Sequence, residues 1–383
     1  MSASPRDEDH DQPQAANAMP PALRPLLWAS AVAGGSLSYA STAWLLSGLT
    51  PSPLMNAMLP ALSSVPALFA LPRQRSGYLL KVVAVLLLLL ASFGIPGRSP
   101  WWVLLAAVLL ALGERISALP MQQTLLRGSD LSVNQLRSSG DLGQWIGTVL
   151  TGVLFPLGRA LAQYLNALVL LLPLLLVSLR AGPGSEAGMP EESIRPELAK
   201  RSRPHQDQLH AASLGQGMLF GGLFAMIALW VRQLGSGNCF DFGMVLSAYL
   251  LGRAWRRLFV GLAPPSRYGL MAALLIATQF VPGWGAVALF LPLGGLAAAS
   301  DQGLAESIDA EDKAMGWDRL ERSGGVGGLA GSLGMGLLAQ VAGLSYALPV
   351  QVGGFGLAVL CSLRRPRSPG GSVRVADSRD ARG

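Results

Sequence analysis

The chain has 383 residues, of which 51% are apolar and only 13% are Asp, Glu, Lys or Arg, against roughly 25% charged in soluble domains. That deficit excludes a sizeable water-soluble domain and leaves room for about twelve bilayer crossings at about 20 residues each. The net charge of +7 is carried by basic residues in short gaps between apolar runs, so it reads as a topology signal and not as a nucleic-acid surface.

Residues 1–24 are polar, and MSASPRDEDHDQPQAANAMP holds more acids than bases. The stretch lacks the basic start, apolar centre and cleavage site of a signal peptide, and is expected to be a disordered cytoplasmic tail. Twelve candidate crossings follow, at 26–49, 54–71, 78–95, 101–120, 140–157, 160–179, 214–233, 241–262, 268–282, 284–300, 324–344 and 346–363. Helices are the expected form, because the segments lack the alternation of barrel strands and backbone groups in lipid must be satisfied internally.

The polar connection 180–213 divides the crossings six and six, giving expected bundles at 25–179 and 214–363, followed by a disordered basic tail at 364–383. Placing both termini and this connection in the cytoplasm leaves Arg98, Arg159 and Arg232 as the basic residues at outer ends, which agrees with the positive-inside rule. The expected location is the inner membrane. Two sequence echoes suggest a duplication. Arg137-Ser138-Ser139-Gly140-Asp141-Leu142-Gly143 matches Arg322-Ser323-Gly324-Gly325-Val326-Gly327-Gly328, and after a one-residue gap Gly147 and Gly152 fall on Gly331 and Gly336. Pro72, Arg75, Ser76, Gly77 and Tyr78 likewise pair with Pro264 or Pro265, Ser266, Arg267, Tyr268 and Gly269.

With this layout the sequence resembles the major facilitator superfamily, in particular its drug- and siderophore-exporter-like permeases. The resemblance implies an all-α protein of two pseudo-symmetric six-helix bundles, a central cavity and alternating access. The family loop G-x-L-A-D-R-x-G-R-R corresponds to Ala70-Leu71-Pro72-Arg73-Gln74-Arg75-Ser76-Gly77-Tyr78-Leu79, where Arg75 and Gly77 match and Gln74 replaces the Asp. The fifth-helix pattern G-x-x-x-G-P-x-x-G-G corresponds to Gly143 through Gly152, with three glycines kept and Thr148 and Thr151 substituted.

Among polar residues within the crossings, Arg253, Arg256 and Arg257 are spaced to share one helix face, with Arg253 a little past the middle of the eighth crossing. An Arg at the bilayer centre costs about 2.5–3.5 kcal/mol even on the lenient scale. The face therefore calls for a wet cavity, acidic partners or an anionic solute. The competing reading has Arg256 and Arg257 snorkelling to headgroups and Arg253 in a structural pair. Arg267 is expected in a hydrated loop. Tyr39 and Gln144 are further candidates for a substrate-binding surface, with Ser36, Ser38, Ser41 and Trp44 beside Tyr39. Glu114 is the candidate proton carrier and Arg115 its companion, the alternative being a salt link from Glu114 to a neighbouring helix. Adjacent residues on a helix do not face each other, so the two are not expected to pair together. Asp141 is expected to cap the fifth helix.

The two cysteines and three histidines form no metal motif, and neither a phosphate loop nor a catalytic triad is present. No cofactor and no enzymatic activity are expected. The reading is a secondary active transporter that moves a small, anionic solute by alternating access, with proton-coupled efflux as the form the family suggests. Membrane lipid is its other partner. A membrane scaffold or assembly factor derived from the same fold is the alternative, motivated by Gln74.

Overall fold

The computed structural model describes residues 23–68, 76–94, 99–127, 133–178, 209–234, 236–306 and 313–364. Both expected tails, nearly all of the 180–213 connection and the loop around Gln74 lie outside the described residues. Each of the twelve apolar segments holds one helix. These are α1 (Leu23–Leu49), α2 (Pro53–Ser64), α3 (Ser76–Ser92), α4 (Pro100–Arg127), α5 (Val133–Leu157), α6 (Arg159–Ser178), α7 (Ala211–Leu229), α8 (Cys239–Ala254), α9 (Pro264–Ala277), α10 (Trp284–Glu306), α11 (Lys313–Ala342) and α12 (Ala347–Arg364). No strand occurs among the described residues. Among the described residues five stretches are long and apolar enough to cross a membrane: Pro100–Ser117, Ala211–Gln233, Trp284–Glu306, Arg319–Ala342 and Leu344–Arg364. The chain is thus a helical, multi-pass membrane protein.

Helix contacts recur when six is added to each helix number. α1 packs on α5 and α6 as α7 packs on α11 and α12; α3 packs on α4 and α6 as α9 packs on α10 and α12; α2 meets α4 as α8 meets α10. The first six helices meet the last six chiefly through α2 with α11 and α5 with α8. Trp44 of α1 stacks on Phe242 of α8 with ring centroids 5.6 Å apart.

In lipid there is no hydrophobic force to pull helices together, and small residues serve by letting backbones approach. Gly143 and Gly147 of α5 lie so close to the carbonyls of Ala29 and Ala33 on α1 that a Cβ would collide with them. Gly327 and Gly331 of α11 bear the same relation to the carbonyls of Leu214 and Met218 on α7. The contacts therefore match Gly143 to Gly327, one residue earlier than the sequence echo aligned it, while Gly147 matches Gly331 as expected. The one-residue gap falls before Gly143 because the α1 and α7 carbonyls repeat every four residues and fix the spacing.

The same test separates tight glycines from loose ones. A Cβ on Gly252 of α8 would strike the Leu291 carbonyl of α10, and one on Gly294 of α10 would strike the Tyr249 carbonyl, whereas at Gly334 nothing lies within 4 Å. Gly252→Ala and Gly294→Ala should each lower stability by about 1–3 kcal/mol, the range for overpacking. Gly334→Ala should leave it unchanged or raise it by up to about 1 kcal/mol from helix propensity. Thermal unfolding of the purified protein in detergent checks the ranking.

Candidate functional site

The most charged region among the described residues lies where α5, α8 and α10 converge. α8 begins earlier than expected because Asn238 and Asp241 form a reciprocal capping box, the Asn238 side chain accepting from the Asp241 amide at 3.1 Å and Asp241 accepting from the Asn238 amide at 2.8 Å. It ends at Ala254, after about 24 Å at 1.5 Å per residue. A 3-10 turn, Arg256–Leu258, follows. Arg253 is therefore in the last turn of α8 and not close to its middle. The expectation of one shared helical face is corrected, since Arg256 and Arg257 lie beyond the helix and Arg257 is exposed.

Arg253 is bound by two fixed acids. Its Nε donates to Asp141 Oδ1 of α5 at 2.8 Å, and its Nη1 lies 2.9 Å from Asp301 Oδ2 of α10. The guanidinium is 14% exposed and the two carboxylates 12% and 25%, so the site is largely desolvated. Arg256 Nη1 approaches Asp141 Oδ2 at 3.6 Å and its Nη2 donates to Ser138 Oγ at 2.9 Å. Arg137 lies in the field of the same four charges. On the other side Asp301 accepts from Gln216 of α7, whose Oε1 accepts from Tyr268 of α9 at 3.3 Å.

This geometry corrects two expectations. Asp141 is not the cap of α5, which starts at Val133; it lies about two turns inside and serves as the counter-ion of α8. The neutralising charge that Arg253 requires comes from Asp141 and Asp301, so it does not call for an anionic solute. Arg267 is likewise no loop residue. It lies in the first turn of α9, 8% exposed, and donates to the carbonyls of Ala299 at 2.7 Å and Val260 at 2.6 Å.

Glu114 and Arg115 diverge, as adjacent helical residues must. Glu114 of α4 meets Lys81 of α3 at 2.6 Å, with Lys81 3% exposed and Glu114 33%. Its carboxyl also lies against Gly35 of α1, where a Cβ would be 3.4 Å away. Arg115, 8% exposed, pairs at 2.7 Å with Glu321 of α11 and so links the first six helices to the last six. Tyr39 is partly buried against the apolar core, and Gln144 is exposed with its backbone carbonyl accepting from Ser36 at 3.0 Å. Neither joins the Arg253 cluster among the described residues.

At the opposite end, α7 closes in a π-helical turn, Trp230–Leu234. The turn sets Arg232 over the Trp44 ring at 3.9 Å, with Nε donating to Ser47 Oγ at 3.0 Å and Nη2 to the Trp44 carbonyl at 3.1 Å. Nearby, Ser52 donates to Gln340 of α11 at 2.8 Å. Polar links thus join the first and last six helices at both ends.

No family model and no curated protein matches the sequence. Solved structures do. The nucleoside transporter NupG superposes with a TM-score of 0.58 at 13% identity, covering 89% of this chain and 97% of its own. A bacterial homologue of the human lysosomal transporter Spinster, inward-facing and occupied, gives 0.62 at 11%, covering 89% and 95%. A bacterial metal transporter gives 0.61 at 15%, covering 89% and 97%. The chain has the fold of these membrane transporters.

Lys81, Asp301 and Glu321 escaped the sequence reading. Lys81 and Asp301 each stand as a single charge inside or at the edge of an apolar run, whereas Glu321 sits in the charged stretch Asp318-Arg319-Leu320-Glu321-Arg322. Removing one partner of a buried pair leaves an uncompensated charge, so Arg253→Gln should destabilise by roughly 3–5 kcal/mol. Arg257→Gln, at an exposed position, should stay within about 0.5 kcal/mol of the parent. Unfolding midpoints of the two variants in one detergent measure the contrast.

Proposed function

We propose that the chain is a secondary active transporter of the inner membrane that moves a small solute by rocking residues 25–179 against residues 214–363. The observation that carries this is the placement of Arg253 between two acids, one in each half. Asp141 belongs to the first six helices and Asp301, like Arg253, to the last six. Separating the halves at this end breaks the Asp141 link but leaves Asp301 as counter-ion, so the movement never strands a bare guanidinium in a poorly solvated site. The recurrence of helix contacts and the fold shared with known transporters support the same reading.

In this proposal both termini and the Arg253 cluster are cytoplasmic, and Arg232 over Trp44 ties the outer end. Opening one end requires its links to break while the other end's hold, the minimum needed for alternating access. Glu114 is the proposed proton carrier, because a proton on its carboxyl would release Lys81 and loosen α3 from α4.

Purified protein in sealed vesicles, tested with a panel of anionic, cationic and neutral solutes under an imposed proton gradient, should show flux of one class. Arg253→Gln should abolish that flux, Arg257→Gln should retain it, and Glu114→Gln should remove its dependence on the gradient. Absence of flux for every class would support the scaffold instead. Cysteines placed at positions 190 and 98 should label from inside and outside respectively; labelling of position 190 from outside overturns the topology.

A further inference from the structure

The helix contacts that recur between the two halves differ in one place. In the first half α6 lies tightly on α1: a Cβ on Gly34 would be 3.0 Å from the Leu170 backbone, and Ser38 donates to Asn166 at 2.5 Å. In the second half, α12 is held to α7 near its start, where Gln351 donates to the Leu219 carbonyl and Phe355 meets Phe220 at 5.9 Å. Beyond that point α12 stands away from α7 and α11. The gap is a cavity of about 1400 Å³ bounded by α7, α9, α10, α11 and α12, with no residue of α1–α6 in its wall. Ordinary small-molecule sites occupy roughly 300–1,000 Å³.

The wall is mostly apolar, and no acid lines it among the described residues. Gly215 of α7 and Gly334 of α11 face it with open space where a Cβ would sit. Its one permanent charge among the described residues is Arg267, more than nine-tenths buried, whose Nε has no hydrogen-bond partner. Among the described residues the acid whose field acts on Arg267 is Glu306, which is exposed and accepts from Gln302 at 2.7 Å. His210, at the same end, is engaged as the cap of α7 through its Nδ1. A buried cation with no carboxylate paired to it among the described residues, at the mouth of an apolar cavity, is complementary to an anionic headgroup carrying an acyl chain.

We propose that this cavity binds an anionic phospholipid from the leaflet adjoining the α9 N-terminus, with the phosphate on Arg267 and an acyl chain along α7, α11 and α12. That leaflet is cytoplasmic in the topology proposed above, on which this point alone rests. Gln216 and Tyr268 also line the cavity, and Gln216 donates to Asp301, so the lipid touches the chain of hydrogen bonds that ends on Arg253.

Cys361 lines the cavity and is exposed, whereas Cys239 is buried. The test follows N-ethylmaleimide alkylation of Cys361 in Cys239→Ser protein reconstituted in nanodiscs, and no step requires transport. Adding phosphatidylglycerol to phosphatidylcholine should slow alkylation by about tenfold, the effect of one charge-assisted contact. Inorganic phosphate added alone should have no effect, and Arg267→Gln should erase the lipid difference. Because Arg267 also holds two carbonyls, Gly334→Leu provides a second variant: it fills the cavity from α11 and should lose the phosphatidylglycerol copy that native mass spectrometry finds on the parent protein. Equal protection by phosphatidylcholine, protection by free phosphate, or unchanged lipid binding in folded Arg267→Gln or Gly334→Leu would overturn the proposal.

Discussion

A guanidinium in a largely desolvated site must keep a counter-ion, and the arrangement around Arg253 is the constraint on which the rest of the interface depends. Removing a charge from water costs several kcal/mol, recovered only with close, hydrogen-bonded partners. Arg253 has both: its forked donors reach Asp141 on α5 and Asp301 on α10 simultaneously, a geometry that a lysine's point charge would not reproduce. Three helices are thereby fixed at one level. The second acid makes this compatible with motion, because the link within the last six helices survives when the link across the interface breaks.

The charge cluster constrains geometry only if the helices carrying it are rigid, and the glycine contacts supply that rigidity. α8 and α10 are brought into backbone contact at Gly252 and Gly294, which places Arg253 and Asp301 within reach of each other. α5 and α8 approach most closely at Gly152 and Gly243, where a Cβ on Gly243 would be 2.6 Å from the Gly152 Cα. That crossing is two to three turns from Asp141 and Arg253, so the two helices meet at a glycine contact and at an ion pair along one line.

The helices were legible in the sequence because twelve apolar runs separated by short polar gaps leave lipid-exposed backbone few alternatives. The glycine echo between α5 and α11 was legible too, although its register was fixed only by the carbonyls of α1 and α7. The arginines were visible and their partners were not. Asp141 lay in what read as a helix start, Asp301 just past the end of an apolar run and Glu321 in the charged stretch before one, where an acid reads as a surface residue. Pairing Arg253 with Asp141 joins positions 112 apart in the chain, a separation across which local pattern carries no information. The end of α8 was misread for a related reason: span length argued for a longer helix, whereas the capping box at Asn238 and the 3-10 turn at Arg256 set its true limits.

The difference between α6 and α12 shows what duplication leaves free to diverge. α6 carries Asn166 and Gln163, both fully buried, and Asn166 accepts from Ser38 of α1 while donating to Gln163 at 3.2 Å. Polar groups buried among helices are costly to separate from their partners, so Asn166 ties α6 to α1 at this level. At the matching level α12 offers Gly353, Gly354 and Gly356, which provide neither hydrogen bonds nor side-chain volume. With Gln351 as its one polar tie to α7 among the described residues, α12 is fixed at the outer end and lacks a comparable tie toward Arg364. The polar ties of α6 to α1 therefore have no full counterpart between α12 and α7 among the described residues, and α12 rests instead on α9 while its other face borders the cavity.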